Sequence, residues 1–98
     1  MYFAIFGTDK PGMGQQRRDT LDEVQSYVRG RPGHSDVTLH SGGPTFDDEG
    51  AINGTLIIVE APSLESAKAF LADSPLQKLG LLGEVSIRQW DWKTGRPG

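Results

Sequence analysis

The side chains able to do acid–base or anion-binding chemistry in this chain are Asp9, Arg17, His40, Asp73 and Ser74. His40 stands beside Ser41 and a Gly42-Gly43-Pro44 turn, where the backbone can approach a ligand closely. Imidazole titrates near neutrality, so His40 can serve as a base, or it can be a half-exposed strand histidine with no role. Asp73 can give or take a proton, although aspartates that close a helix commonly do neither. Asp9 can orient a substrate or a neighbouring side chain from its turn, or it can be an Asx-type turn residue. Arg17 has the planar fork that suits a carboxylate or phosphate, and it can equally be a surface charge on a helix. Ser74 precedes Pro75 and reads as an N-cap. His34, in a Gly/Pro loop, reads as solvated. The candidate catalytic residues are therefore His40 and Asp73, and the candidate ligand contacts are Asp9, Arg17, His40 and Ser74.

Several chemistries are excluded or unsupported. The absence of cysteine removes disulfides, thiolate catalysis and cysteine-based metal sites. The two histidines have no Asp/Glu spacing around them that resembles a metal site. Neither a G-x-x-x-x-G-K-S/T nor a G-x-G-x-x-G run occurs, so no nucleotide cofactor loop is present and no cofactor is expected. A net charge of −3, with basic residues scattered among acids, argues against nucleic acid. No run approaches the roughly 20 apolar residues of a membrane span, and the apolar start is too short for a signal peptide. A cytoplasmic location is the expectation.

The elements that must position these residues follow from periodicity. Residues 2–7 predict a strand that is apolar on both faces, and so does the run from Ile52 to Glu60. Between them, residues 15–29 predict a helix burying Leu21, Val24, Tyr27 and Val28, with Arg17, Arg18 and the acids on the wet side. Gly30 to Gly33 ends it. Residues 36–41 alternate, predicting an edge strand closed by Gly42-Gly43-Pro44, and residues 45–50 predict an exposed acidic loop. Ser63 caps a second helix whose buried face is Leu64, Ala67, Phe70 and Leu71. Asp73-Ser74-Pro75 breaks it before a short helix that stops at Gly80. Residues 84–92 predict the last strand, with Val85 and Ile87 on one face and Ser86, Arg88, Trp90 and Trp92 on the other.

The order β-α-β-β-α-β, with the first and third strands dry on both faces, predicts an α+β ferredoxin-like sheet in spatial order 4-1-3-2. Residues 1–92 would form one domain and residues 93–98 a polar, frayed tail. Helices cover one face of such a sheet. The other face stays apolar and, with Trp90 and Trp92, predicts sheet-to-sheet homodimerisation.

Asp9-Lys10-Pro11-Gly12, Arg17, Gly43-Pro44, the run Leu56 to Ala61, Phe70-x-x-Asp73-x-Pro75 and Val85-x-Ile87-Arg88-x-Trp90 together resemble the YciI-like (YCII-related) family. The likeness covers Tyr2 to about Trp92. It implies a dimeric α+β barrel with a small-molecule pocket between helices and sheet. It also implies cofactor-free acid–base chemistry of lyase or isomerase type, by a helix histidine and an aspartate before the second-break proline. The matching positions here hold Val24, beside Glu23, and Ser74, beside Asp73. Valine cannot be oriented by a carboxylate or carry its proton. The expectation is a divergent homodimer that binds a small organic molecule, an anion among the options, without the family dyad. The alternatives are a cofactor-independent enzyme (lyase, isomerase or monooxygenase type) using His40, Asp9, Arg17 or Asp73, and a non-catalytic interaction dimer.

Overall fold

The computed structural model describes residues 1–96. In chain order it contains β1 (Tyr2–Asp9), α1 (Gly14–Asp19), α2 (Leu21–Gly30), β2 (Thr38–Phe46), β3 (Ile52–Glu60), α3 (Leu64–Ala72), α4 (Pro75–Lys78) and β4 (Leu82–Trp90). The strands form one antiparallel sheet in the order β2-β3-β1-β4. This is the predicted ferredoxin-like arrangement, with the two doubly apolar strands in the middle.

Pairing fixes which side chains share a face. Phe3 faces Val59 and Ile5 faces both Ile57 and Ile87, so these residues line the helix side, and Phe3, Ile5, Ile57 and Val59 are buried there. Helices α2 and α3 add Val24, Tyr27, Val28, Ala67, Phe70 and Leu71 to the same core. Apolar stripes recurring at helical spacing have no other surface to bury against. Ser63 caps α3 as expected, its hydroxyl accepting from the Ser66 amide at 3.2 Å.

On the opposite face Tyr2, Ala4, Phe6, Leu56, Ile58 and Trp90 form the second apolar side of the central strands. Phe6 is 51% exposed and Trp90 37%. Trp92 lies past the end of β4, because the last strand runs two residues earlier than predicted, from Leu82 to Trp90. Its indole still joins this face, stacked on Trp90 at 5.0 Å and edge-on to Tyr2 at 5.6 Å and His40 at 5.5 Å. In the tail, Trp92 Nε1 donates to the Thr94 carbonyl and Arg96 lies over the Tyr2 ring at 5.3 Å. The final two tail residues, Pro97 and Gly98, lie outside the described residues.

Further boundaries differ from the sequence expectation. The predicted first helix is two helices joined at Thr20, whose hydroxyl donates back to the Gln16 carbonyl at 2.8 Å. Such back-bonding competes with the helix ladder. Strand β2 begins later and runs through Gly42-Gly43-Pro44 to Phe46, rather than stopping at Ser41. An edge strand tolerates proline because one row of its amides needs no partner. The acidic loop is correspondingly short: Asp47 accepts from the amides of Glu49 and Ala51, and Gly50 takes a positive φ of 84°.

Candidate functional site

Arg17 is the largest fully buried side chain, 1% exposed, and not the wet-side charge expected of it. Arg17 stands four residues before Leu21 and seven before Val24, so it continues the buried stripe of α2 across Thr20, where the amides of Thr20 and Val24 still bond to the carbonyls of Gln16 and Thr20. Its Nη2 donates to the Gly54 carbonyl at 2.9 Å. Its Nε lies 3.4 Å from Asp9 Oδ2, and the Asp9 side chain is only 8% exposed. Asp9 follows Phe3, Ile5 and Gly7 in the alternation of β1 and so lies on the helix side, while a register shift that skips Gly83 of β4 sets it opposite Leu82.

The pair is imperfect. Both Asp9 oxygens, and Nε and Nη1 of Arg17, are sealed from solvent without a hydrogen-bond partner. Burial pushes the Asp9 carboxyl up, against the opposing pull of Arg17. Burial likewise lowers Arg17, against the pull of Asp9. Gly54 makes the arrangement possible. A Cβ there would sit 2.2 Å from the Gly7 carbonyl oxygen, so no side chain fits between β3 and β1.

Arg17 forms part of the wall of a cavity of about 160 Å³ between α2 and the β2–β3 half of the sheet. Leu21, Val24 and Val28 supply the helix wall, and Leu39, Ile57 and Thr55 the sheet wall. Gly42, Gly43 and Pro44 edge it. Thr55 donates to the Gly43 carbonyl at 3.2 Å, tying the two strands at that edge. Gln25 and exposed Arg29 also line it, and no acidic side chain does. The site is therefore an apolar slot with a buried guanidinium in its wall.

A second polar constellation lies on the other flank of α2. His34 Nε2 is 2.7 Å from Asp73 Oδ2, although the loop context predicts a solvated histidine. His34 is 8% exposed and sits edge-on to Tyr27 and Phe70, at ring distances of 6.5 and 5.8 Å. Tyr27 donates to the Phe70 carbonyl at 2.6 Å, and burial, aided by Asp73, pushes its phenol up to about 12. Asp73 also lines an open groove with Glu23, Tyr27, Pro32, Pro75, Lys78 and Leu79.

A model of the YCII-related domain matches residues 1–91. The chain belongs to the YCII-related domain family. A search of curated proteins returns no match. Among solved structures, this YCII-related chain is similar to 5-chloro-2-hydroxyhydroquinone dehydrochlorinase (TftG) from Burkholderia phenoliruptrix AC1100, in complex with 2,5-dihydroxybenzoquinone. Identity is 27% over 93% of this chain and 94% of that one, with a TM-score of 0.78. Rv0793 from Mycobacterium tuberculosis (13% identity, 96% and 97% coverage, TM-score 0.56) shares the fold. So does Atu4242 from Agrobacterium tumefaciens (17%, 99% and 98%, 0.55). Among the described residues no helix is long and apolar enough to cross a membrane.

The residues singled out from sequence fall in different places on this YCII-related domain. Arg17 and Asp9 come together, with Arg17 on the cavity wall. Val24, at the position where the resemblance implies a histidine, is buried and lines the same cavity. Ser74 is 1% exposed and is not a side-chain cap, because its hydroxyl donates back to the Leu71 carbonyl at 2.6 Å. His40 sits at a register shift in β2, on the open face away from the cavity. Its Nε2 is 3.0 Å from Glu60 Oε1, and that bond is the main cause holding the Glu60 carboxyl down. Asp73 is paired with His34, the residue the sequence reading passed over. The clue the chain offered is slight: Val37, an apolar residue three positions on, marks where the short loop returns to the core.

Proposed function

We propose that this YCII-related protein is a homodimer in which each subunit binds one small, oxygen-bearing, single-ring organic anion. The ligand lies in the cavity between α2 and the sheet. The observation that carries the reading is Arg17 Nη1, a buried donor without a partner on a guanidinium that lines an otherwise largely apolar slot. An unmade buried hydrogen bond costs about 1–3 kcal/mol, which a ligand oxygen at that atom would recover. Size agrees: a cavity of about 150 Å³ in another protein holds a single benzene ring, against about 160 Å³ here. Two arginines and no acid in the wall favour an anion, even though the whole chain carries −3. The ligand of the TftG structure, 2,5-dihydroxybenzoquinone, is a molecule of this size and class. In this reading Val24 and Ser74 replace the family's acid–base dyad, and the cavity binds without that dyad's chemistry.

Titration of the purified protein with 2,5-dihydroxybenzoquinone, followed by calorimetry, tests the reading. Saturable binding should be lost in Val24→Phe, which fills the slot, and kept in His40→Ala. Equal binding by Val24→Phe would overturn it. The open sheet face supports the dimer, since Phe6, Leu56, Ile58 and Trp90 form an apolar patch of the kind that monomers rarely leave uncovered. A second reading has one specific observation in its favour. The His34–Asp73 contact at 2.7 Å is the geometry of an oriented base, and it would make the protein a cofactor-independent lyase or isomerase acting at the groove beside α4.

A further inference from the structure

We propose that the cavity takes up a ring-borne carboxylate or phenolate together with one proton, which Asp9 holds while the ligand's oxygen rests on Arg17. This deepens the reading of the cavity as an anion site and rests on it. The empty site already contains a compensated pair of charges. Asp9 is 8% and Arg17 1% exposed at the side chain, in contact only at 3.4 Å between Oδ2 and Nε. Neither carboxylate oxygen has a hydrogen-bond donor to stabilise its charge, and Arg17 keeps only the bond from Nη2 to the Gly54 carbonyl.

Among the described residues the surroundings of Asp9 offer no second cation. Arg17 faces it from α1, and Leu82 and Gly54 are the neutral neighbours from β4 and β3. Lys10, next in the chain, lies along Gly80 and Gly83 on the α4–β4 side, its amide bonded to the Leu81 carbonyl at 2.8 Å. An anion placed on Arg17 therefore makes two buried negative charges share one guanidinium. Two carboxylates in such a position do not both stay ionised. The proton goes to Asp9 because the ligand oxygen would accept from the Arg17 guanidinium, whereas no oxygen of Asp9 accepts a hydrogen bond from any group among the described residues. Burial already pushes that carboxyl up in the empty protein. Proton uptake fixes the sign of the pH dependence: affinity rises as pH falls, by up to about tenfold per pH unit where one proton is taken up.

Benzoate, fully ionised near neutrality, is the probe, titrated calorimetrically at one pH in phosphate and in Tris, whose ionisation heats differ widely. The expected result for the wild-type chain is a buffer-dependent heat corresponding to about one proton taken up per benzoate bound. Asp9→Asn should bind benzoate with no proton uptake and an affinity that does not change with pH. Benzoate binding by the wild-type chain with identical heats in the two buffers would overturn the proposal while leaving the anion site standing. Persistent uptake in Asp9→Asn would also overturn it, by placing the proton elsewhere. No saturable binding at all would remove both the proposal and the reading beneath it. The wild-type measurement needs no variant, so a poorly folded Asp9→Asn cannot obscure the outcome.

Discussion

Replacing Arg17 by methionine should destabilise the protein in a way that depends steeply on pH. The substitution keeps most of the buried stem but strips Asp9 of its cation, the only one facing it among the described residues, and the Gly54 carbonyl of its donor. Breaking a buried ion pair from one side typically costs about 3–5 kcal/mol. A ceiling comes from the option of protonating Asp9. Neutralising a carboxyl of ordinary acidity at pH 7 costs about 4 kcal/mol and becomes cheaper by about 1.4 kcal/mol for each pH unit lower. The orphaned Gly54 carbonyl adds roughly 1–3 kcal/mol that does not vary with pH. Urea unfolding of Arg17→Met and wild type should then give a deficit of about 4–5 kcal/mol at pH 7, shrinking to about half that near pH 5. The wild type should show a weaker trend of the same sign. Its Asp9 carboxyl is raised above the unfolded value, so the native state binds more protons between the two values and gains stability as pH falls through the folded one. Adding Asp9→Leu to Arg17→Met should recover most of the loss, since apolar replacement of both partners is often neutral or stabilising. A deficit equal at both pH values, or no recovery in the double variant, would refute the account of this pair.

Other changes probe the remaining parts. Gly54→Ala must push β3 from β1, because its Cβ would meet the Gly7 carbonyl oxygen at 2.2 Å; thermal unfolding should show a loss of about 3 kcal/mol or more, beyond the usual range for overpacking. His34→Ala removes the Asp73 contact and the edge-on packing against Tyr27 and Phe70; a loss of roughly 2–4 kcal/mol is expected by urea titration. Asp73→Asn should cost less, since the Asp73 side chain is 55% exposed. Phe6→Glu puts a charge in the middle of the open face, and light scattering should report a folded monomer in place of the proposed wild-type dimer. A wild-type chain that is monomeric at micromolar concentration would count against the dimer directly.

Patterns spread over many residues made the fold legible. Doubly apolar runs at residues 2–7 and 52–60 can only be central strands, and the observed order β2-β3-β1-β4 follows from that. The site was legible in position but not in role. Arg17 stands four and seven residues before Leu21 and Val24, on the helical stripe itself, and only its charge argued for the wet side. Asp9 continues the alternation of Phe3, Ile5 and Gly7 toward the helix side. His40 alternates with Leu39 and so lies on the open face, against Tyr2 and Trp92. What leaves no periodic trace is the pairing: nothing in the pattern says that Asp9 meets Arg17, or that His34 meets Asp73.

The same reasoning bears on the acid–base pair. Comparison by position finds Val24 and Ser74 and ends there, yet the fold sets a histidine against an aspartate at 2.7 Å from His34 and Asp73. Asp73 stands one residue before the expected site, at the C-cap of α3, so its carboxylate turns away from the buried pocket of Ser74 toward the α2–β2 loop. His34 lies in that loop, on the flank of α2 opposite the cavity. On the proposed reading, the two constellations separate the tasks that one pocket would otherwise combine. Arg17 sits in the wall of a slot that lacks a base, and His34 is an oriented imidazole outside that slot. A ligand held in the cavity is beyond the reach of the pair, so loss of His34 should weaken the fold while leaving ring-anion binding intact. Calorimetry on His34→Ala, at a temperature where it remains folded, decides this: unchanged affinity upholds the separation, and lost affinity would join the two sites into one.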